Sequence, residues 1–244
     1  MVQRRMVQGK TTDLHTILTI NDELSKMLNI QRFVFNPYQE NTYVVNDETH
    51  ECVIIDCGAF FEDERLAVTE YISRNGLLPK HLLCTHGHFD HCVGNGLILQ
   101  NYGLLPELNM ADEPLLRNLD EQIRMFLGGE FQDLSASSMN VHFLPLSPKT
   151  SVDFGTHHFV VLETPGHTPG GVTFYCEEEK VAFTGDTLFR MSIGRTDFKE
   201  GNDIDMYNTL HNVIAHLPQD TEIWSGHGPR TTLGEELSMN PFLR

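Results

Sequence analysis

No stretch of this sequence is apolar for long enough to cross a bilayer. Nor does the start carry the apolar core of a signal peptide, since Arg4 and Arg5 are followed by Lys10, Asp13 and His15. Positive charge is scarce as well. Lys and Arg number 17 against 34 Asp and Glu, a formal net charge of −17 over 244 residues. Nucleic acid is bound through clustered Lys and Arg, so this balance argues against such a partner. The five cysteines (Cys52, Cys57, Cys84, Cys92, Cys176) are odd in number and lack the spacing of a disulfide framework. They read as buried thiols in a reducing cytoplasm, and neither a membrane nor a nucleic-acid partner is expected. Repeats and low-complexity linkers are missing too. The composition is that of a soluble globular chain able to bury a sizeable core, in one domain or two.

What the sequence does have is histidine in one place. Thr85-His86-Gly87-His88-Phe89-Asp90-His91 follows the apolar run His81-Leu82-Leu83-Cys84. Imidazole nitrogen and carboxylate oxygen are the ligands that Zn²⁺ and similar divalent ions take in catalytic sites. In an extended loop His86, His88 and Asp90 would point one way and His91 another, so that one segment would serve two neighbouring ions. Other strand-like runs end on Gly166-His167, Gly185-Asp186 and Gly226-His227, with glycine before each candidate ligand. These ends are expected to converge at one edge of a sheet. Cys92 reads as a small packed side chain, with a soft extra ligand as the alternative. Asp56, at the end of Cys52-Val53-Ile54-Ile55, reads equally as a turn carboxylate or as a partner of a ligand histidine. The other eight histidines lack partners at ligand spacing and receive no role.

Taken in order, these segments resemble the metallo-β-lactamase fold superfamily, and within it the glyoxalase II-type (hydroxyacylglutathione hydrolase-like) thioester hydrolases. The resemblance runs from about Met27 to the C-terminus and implies an α/β, four-layer αββα sandwich over 27–244. It also implies a dinuclear site of two divalent metal ions, Zn²⁺ first and Fe or Mn as alternatives. His86, His88 and His167 would hold one ion and Asp90, His91 and His227 the other, with Asp186 as the bridge. Ile193-Gly194-Arg195-Thr196-Asp197-Phe198 is similar to the group's substrate-side loop. Only 17 residues follow His227, which resembles a short subgroup without the helical C-terminal domain and puts glutathione as the thiol in question.

Short β-favouring runs (Phe33-Val34-Phe35, Thr42-Tyr43-Val44-Val45, Cys52-Val53-Ile54-Ile55) precede the motif, and a helix is expected from Glu62 to Asn75, stopped by Gly76. A second helix spans Gly94 to Tyr102. A third starts at Asp112-Glu113-Pro114 with Leu115, Leu116, Leu119, Ile123 and Phe126 at helical spacing, and reads as scaffold rather than as an overhang above the pocket. Val172–Cys176 and Val181–Phe183 form a hairpin. Asp203 to Leu217 is expected as one helix with Ile204, Tyr207, Leu210, Val213, Ile214 and Leu217 on the buried face. Residues 1–26 read as an extension, a docked helix or a flexible segment.

Two ions sharing a water would bring its pKa toward neutrality and so supply a nucleophile, with Asp90 orienting it and taking its proton. A thiolate leaves with a conjugate pKa of about 8.5 and needs little acid help. A small-molecule thioester is therefore the expected substrate, with an ester or lactone next. A mononuclear iron persulfide dioxygenase is the competing reading. Arg195 is the first candidate for a substrate carboxylate, followed by Lys199 and Tyr207. Oligomeric state is left open.

Overall fold

Tyr43 and Val45 point to one side of their strand and Val44 to the other, and all three are buried. The same holds for Val53 and Ile55 against Ile54, and for Phe174 and Cys176 against Tyr175. Successive side chains on a strand face opposite ways, so strands apolar on both faces must be covered on both. The computed structural model, which describes residues 27–127, 143–146 and 150–244, shows how. The expected N-terminal extension lies outside the described residues.

One sheet runs in the order β1 (Asn29–Phe35), β2 (Glu40–Asn46), β3 (Glu51–Ile55), β4 (Leu78–Leu83), β5 (Pro106–Asn109), β6 (Leu144–Leu146). It is antiparallel from β1 to β3 and parallel from β3 to β6. The second sheet is built from β7 (Ser151–Phe154), β8 (His157–Glu163), β9 (Val172–Cys176), β10 (Val181–Gly185), β13 (Glu222–Ser225) and β14 (Thr231–Thr232), in the order β14-β13-β10-β9-β8-β7. A small ribbon, β11 (Leu188–Phe189) with β12 (Ser192–Ile193), sits beside it. The inner faces meet through Tyr43, Val53 and Ile55 on one side and Phe159, Phe174 and Phe183 on the other. Burying each of these side chains contributes roughly 1.5–3 kcal/mol.

Helices cover the outer faces. α1 (Glu62–Arg74) packs Val68 and Ile72, and α3 (Asn95–Tyr102) packs Ile98, against Val44, Ile54 and Leu82. Glu64 starts α1 by accepting from the backbone N–H of Phe60 and Phe61 (2.8 and 2.9 Å), and Gly76, at φ +61°, turns the chain away after it. On the other side α6 (Asp203–Asn212) and α7 (Leu233–Met239) cover Ala182 and Ile223 with Met206, Leu210 and Leu233. The expected αββα sandwich is thus observed. No helix among the described residues is long and apolar enough to cross a membrane.

Two expected helices differ in detail. The segment from Asp112 breaks into α4 (Glu113–Arg117) and α5 (Leu119–Leu127) at Asn118. The segment from Asp203 ends at Asn212, and Ile214–His216 follows as a separate 3₁₀ turn. Its buried face is Met206, Thr209 and Leu210, while Ile204 and Tyr207 remain 72% and 61% exposed. Of the expected face Leu210 and Ile214 are buried, but Ile204 and Tyr207 are not, because Thr209, whose hydroxyl donates to the Pro165 carbonyl at 2.7 Å, and Met206 take the inward positions of the first turns.

Candidate metal centre

After β4 the chain leaves the sheet and begins a helical turn, α2 (Phe89–Cys92), with His88 as its N-cap. Strand-like alternation therefore reaches only as far as His88. His86 and His88 project together and meet His167, their ligand atoms all within 4.8 Å of one another. Asp90 is wound round with His91 and meets His227 in a second cluster of the same tightness. Asp90 thus parts from His86 and His88, with which alternation had grouped it, because helical backbone replaces extended backbone at Phe89.

Asp186 stands between the clusters. One carboxylate oxygen lies 3.4 Å from His91 Nε2, and the other lies 3.4 Å from His167 Nε2 and 3.5 Å from His227 Nε2. The strand ends that deliver these residues belong to both sheets: β4 to one, β8, β10 and β13 to the other. The convergence is at the shared rim of the sandwich, not at the edge of one sheet. Gly226 shows why glycine precedes a ligand here. A Cβ on it would stand 2.3 Å from Asp186 Oδ1 and 2.7 Å from His91 Cε1.

The outward ring nitrogens of His86, His91, His167 and His227 are committed elsewhere. His91 Nδ1 donates to Asp56 Oδ2 (2.9 Å), His167 Nδ1 to the Arg195 carbonyl (2.7 Å) and His227 Nδ1 to the Tyr38 carbonyl (3.1 Å). Thr85 Oγ1 gives its proton to Asp56 Oδ2 at 2.7 Å and so accepts from His86 Nδ1 at 3.0 Å. These bonds assign the inward Nε2 atoms of those four histidines as lone-pair donors. His86 Nε2 and Asp186 Oδ1 are buried and make no hydrogen bond within the protein. Orphaned buried atoms are costly unless something else meets them.

Electrostatics point the same way. Burial, then the surrounding imidazoles, holds His86 well below its ordinary pKa and His88 at about 4. Burial also opposes charge on His91 and His227, but Asp90 and Asp186 outweigh it and lift them to about 10 and 11. Asp186 is likewise penalised by burial, yet His91 and His227 pull it well below the carboxylate range. The second cluster calls for positive charge, which a metal ion or a proton supplies. Nitrogens sharing one tetrahedral Zn²⁺ stand about 3.3 Å apart, and His91 Nε2 and His227 Nε2 are 3.3 Å apart. Position, orphaned atoms and donor chemistry therefore fit two divalent ions.

The sequence model of the metallo-beta-lactamase superfamily matches residues 35–227. This chain belongs to that superfamily. It is 35% identical over 217 residues to hydroxyacylglutathione hydrolase GloC of Haemophilus influenzae, covering 88% of this chain and 98% of that one. Among solved structures it is similar to TTHA1623 in a di-iron-bound form (TM-score 0.75, 33% identity, 87% of this chain and 100% of the other). It is also similar to the BLEG-1 B3 metallo-beta-lactamase (TM-score 0.70, 32% identity, 88% and 99%).

A cavity of about 700 Å³ opens over the centre, and His88, Asp90, His167, Asp186 and His227 all line it. Arg195 and Lys199 line it too; Tyr207 does not, and instead packs tilted against His211 on the outside of α6, ring centres 4.3 Å apart. Cys92 is packed, its thiol directed at the His86 carbonyl at 3.4 Å. The helix read as scaffold supplies Leu115, Gln122, Met125 and Phe126 to the cavity, so it does overhang the site.

Asp112, read only as part of a helix start, proves to join two ligand loops. Its carboxylate accepts from Gly87 N–H (2.9 Å), Thr168 Oγ1 (2.7 Å) and Gly170 N–H (2.6 Å). No short-range pattern marks this role, because the partners lie 25 to 58 residues away in sequence.

Proposed function

We propose that this chain is a dinuclear metallo-hydrolase acting on small-molecule thioesters in a reducing cytoplasm. The carrying observation is the pair of complete ligand clusters sharing Asp186 at the floor of an open cavity. Zn²⁺ is the first candidate for both positions, with Fe or Mn as alternatives, since nitrogen and oxygen ligands accept all three. When bound, such ions polarise a carbonyl and acidify a water.

The residues divide the remaining work. His86, His88 and His167 would hold one ion and Asp90, His91 and His227 the other, with Asp186 within reach of both. Burial disfavours charge on Asp90, but His91 and His227 outweigh it and keep its pKa low, so the carboxylate is available to orient a water and take its proton. Among the cavity residues Tyr38 is poorly placed to protonate a leaving group, because its hydroxyl is given to the Phe126 carbonyl at 3.1 Å. A leaving thiolate needs no such acid, which favours a thioester over an amide. The second cluster tells against a one-iron oxygenase, and the likeness to BLEG-1 makes a β-lactam the second substrate reading.

The test is metal analysis of purified protein beside a panel of thioesters including S-D-lactoylglutathione, with thiol release as the readout and a cephalosporin as a further arm. About two metal ions per chain and thiol release that chelation abolishes are expected. Failure of fully loaded protein to release thiol from any thioester would sink the proposal, and one iron with O₂ uptake would replace it with the oxygenase.

A further inference from the structure

The cavity is aromatic where it meets the metal ligands and charged at its mouth. The Phe198 ring lies 5.7 Å from His88 and 6.2 Å from His167, and Phe189 lies 5.9 Å from His227. Phe126 stacks on Phe89 at 5.4 Å and reaches Phe198 at 6.2 Å, while Tyr38 stands edge-on to Phe89 at 5.2 Å. This wall has little to donate to a polar group, because the Tyr38 hydroxyl proton is already given to the Phe126 carbonyl. It is nevertheless uncovered, with Tyr38 and Phe126 keeping 40% and 39% of their surface. Large apolar side chains held open beside a reaction centre are the ordinary lining of a pocket for an apolar group.

Charge at the mouth is arranged differently from what the motif implies. The Arg195 guanidinium donates to both carboxylate oxygens of Asp197 (2.6 and 2.7 Å) and lies over the Phe198 ring at 4.0 Å. It braces the wall. Lys199 also lines the cavity and forms no ion pair among the described residues, with Glu121 and Glu200 as further lining charges. Two carboxylates and a net charge of −17 oppose a substrate carrying several negative charges.

Resting on the thioesterase reading above, we propose that the acyl group of the substrate is apolar, alkyl or aryl, and seats against Tyr38, Phe126 and Phe198. Lys199 then meets a single anionic group on the thiol portion. A short hydroxyacyl group such as lactoyl would leave most of the wall wet and gain little from it. The reaction breaks the acyl C–S bond and forms an acyl C–O bond from water. A carboxylic acid is released, and the departing sulfur ends as the thiol or thiolate.

The experiment compares kcat/KM of the metal-loaded enzyme on N-acetylcysteamine thioesters of acetate, lactate, butanoate, hexanoate and phenylacetate. A fully buried methylene is worth about fourfold in kcat/KM and a partly buried one somewhat less, so hexanoyl, with four more than acetyl, should exceed it by about 30- to 250-fold and lactoyl should stay near acetyl. Phe126→Ala and Phe198→Ala should compress the hexanoyl-to-acetyl ratio to about fivefold or less. That ratio, taken within one variant, is insensitive to how much of the variant folds. Lys199→Met should raise KM for a mercaptoacetate thioester about tenfold relative to the same acyl group on N-acetylcysteamine. A flat series, or lactoyl at or above hexanoyl, overturns the inference while leaving thioester hydrolysis intact. If no thioester is cleaved, hydrolysis itself fails. Calorimetric binding of uncleavable thioether analogues then decides the inference: affinity rising with chain length supports it, and affinity independent of chain length overturns it.

Discussion

Asp56 lies behind the ligand atoms and yet acts on both clusters. Its backbone is held at φ +52°, a region costly for a residue with a side chain, and three hydrogen bonds fix it there. Oδ2 accepts from His91 Nδ1 and Thr85 Oγ1, and Oδ1 accepts from Thr85 N–H at 2.7 Å. One carboxylate therefore sets the tautomer of His91 directly and of His86 through Thr85, one ligand in each cluster. In Asp56→Asn an amide offers one acceptor oxygen where two now serve three donors. Metal affinity should fall ten- to a hundredfold at both positions, as read by chelator competition, with the sandwich itself retained by circular dichroism. A loss confined to one cluster would refute the relay through Thr85. The two readings of Asp56 weighed from sequence, turn residue and ligand partner, are both present in this one residue.

Among elements, the ligand loops are held by more than the strands that deliver them. Asp112, at the junction of a 3₁₀ turn and α4, closes the His86–His88 loop onto the loop carrying His167. Burial lifts its carboxyl above the usual range despite the donors around it. Asp112→Ala would strand two buried N–H groups and a threonine hydroxyl at roughly 1–3 kcal/mol each. A loss of about 3 kcal/mol in the urea unfolding of metal-free protein is expected, together with weaker metal binding at the His86–His88–His167 cluster. Unchanged stability would mean that water satisfies those groups instead. The delivering strands were legible because an apolar run, a glycine and a ligand type coincide at four places. Asp112 was not legible, since its effect depends on which loops the fold brings together. The turn at Phe89 was missed for a related reason: a histidine-rich segment carries no apolar periodicity with which to separate helix from loop. On α6 the pattern placed Leu210 correctly but misplaced Ile204 and Tyr207, which keep helical spacing on an exposed stripe.

At the scale of the whole molecule, the site sits on the rim where two sheets meet, so whatever keeps the sheets in register also keeps the two halves of the centre together. Apolar packing between the inner faces supplies most of this, and Asp47 adds a polar latch. Asp47 follows β2 in one sheet and accepts from Thr49 N–H (2.9 Å) and Thr49 Oγ1 (2.5 Å) in its own turn. It also accepts from Thr156 N–H (2.6 Å) and His157 Nδ1 (3.2 Å) at the β7–β8 turn of the other sheet. Burial works against its charge, but the Thr156 and Thr49 donors outweigh it and hold the carboxyl well below the usual carboxylate range. A carboxyl whose folded pKa is depressed adds stability above its unfolded pKa of about 3.9 and loses it as pH falls toward the folded value. Asp47→Asn should therefore cost roughly 2 kcal/mol at pH 7. The gap between wild type and variant should narrow steadily below about pH 4. Urea denaturation of metal-free protein across pH 7 to 3 reads this without interference from acid loss of metal. A gap of constant size would show that the shape of the residue, and not its charge, joins the sheets.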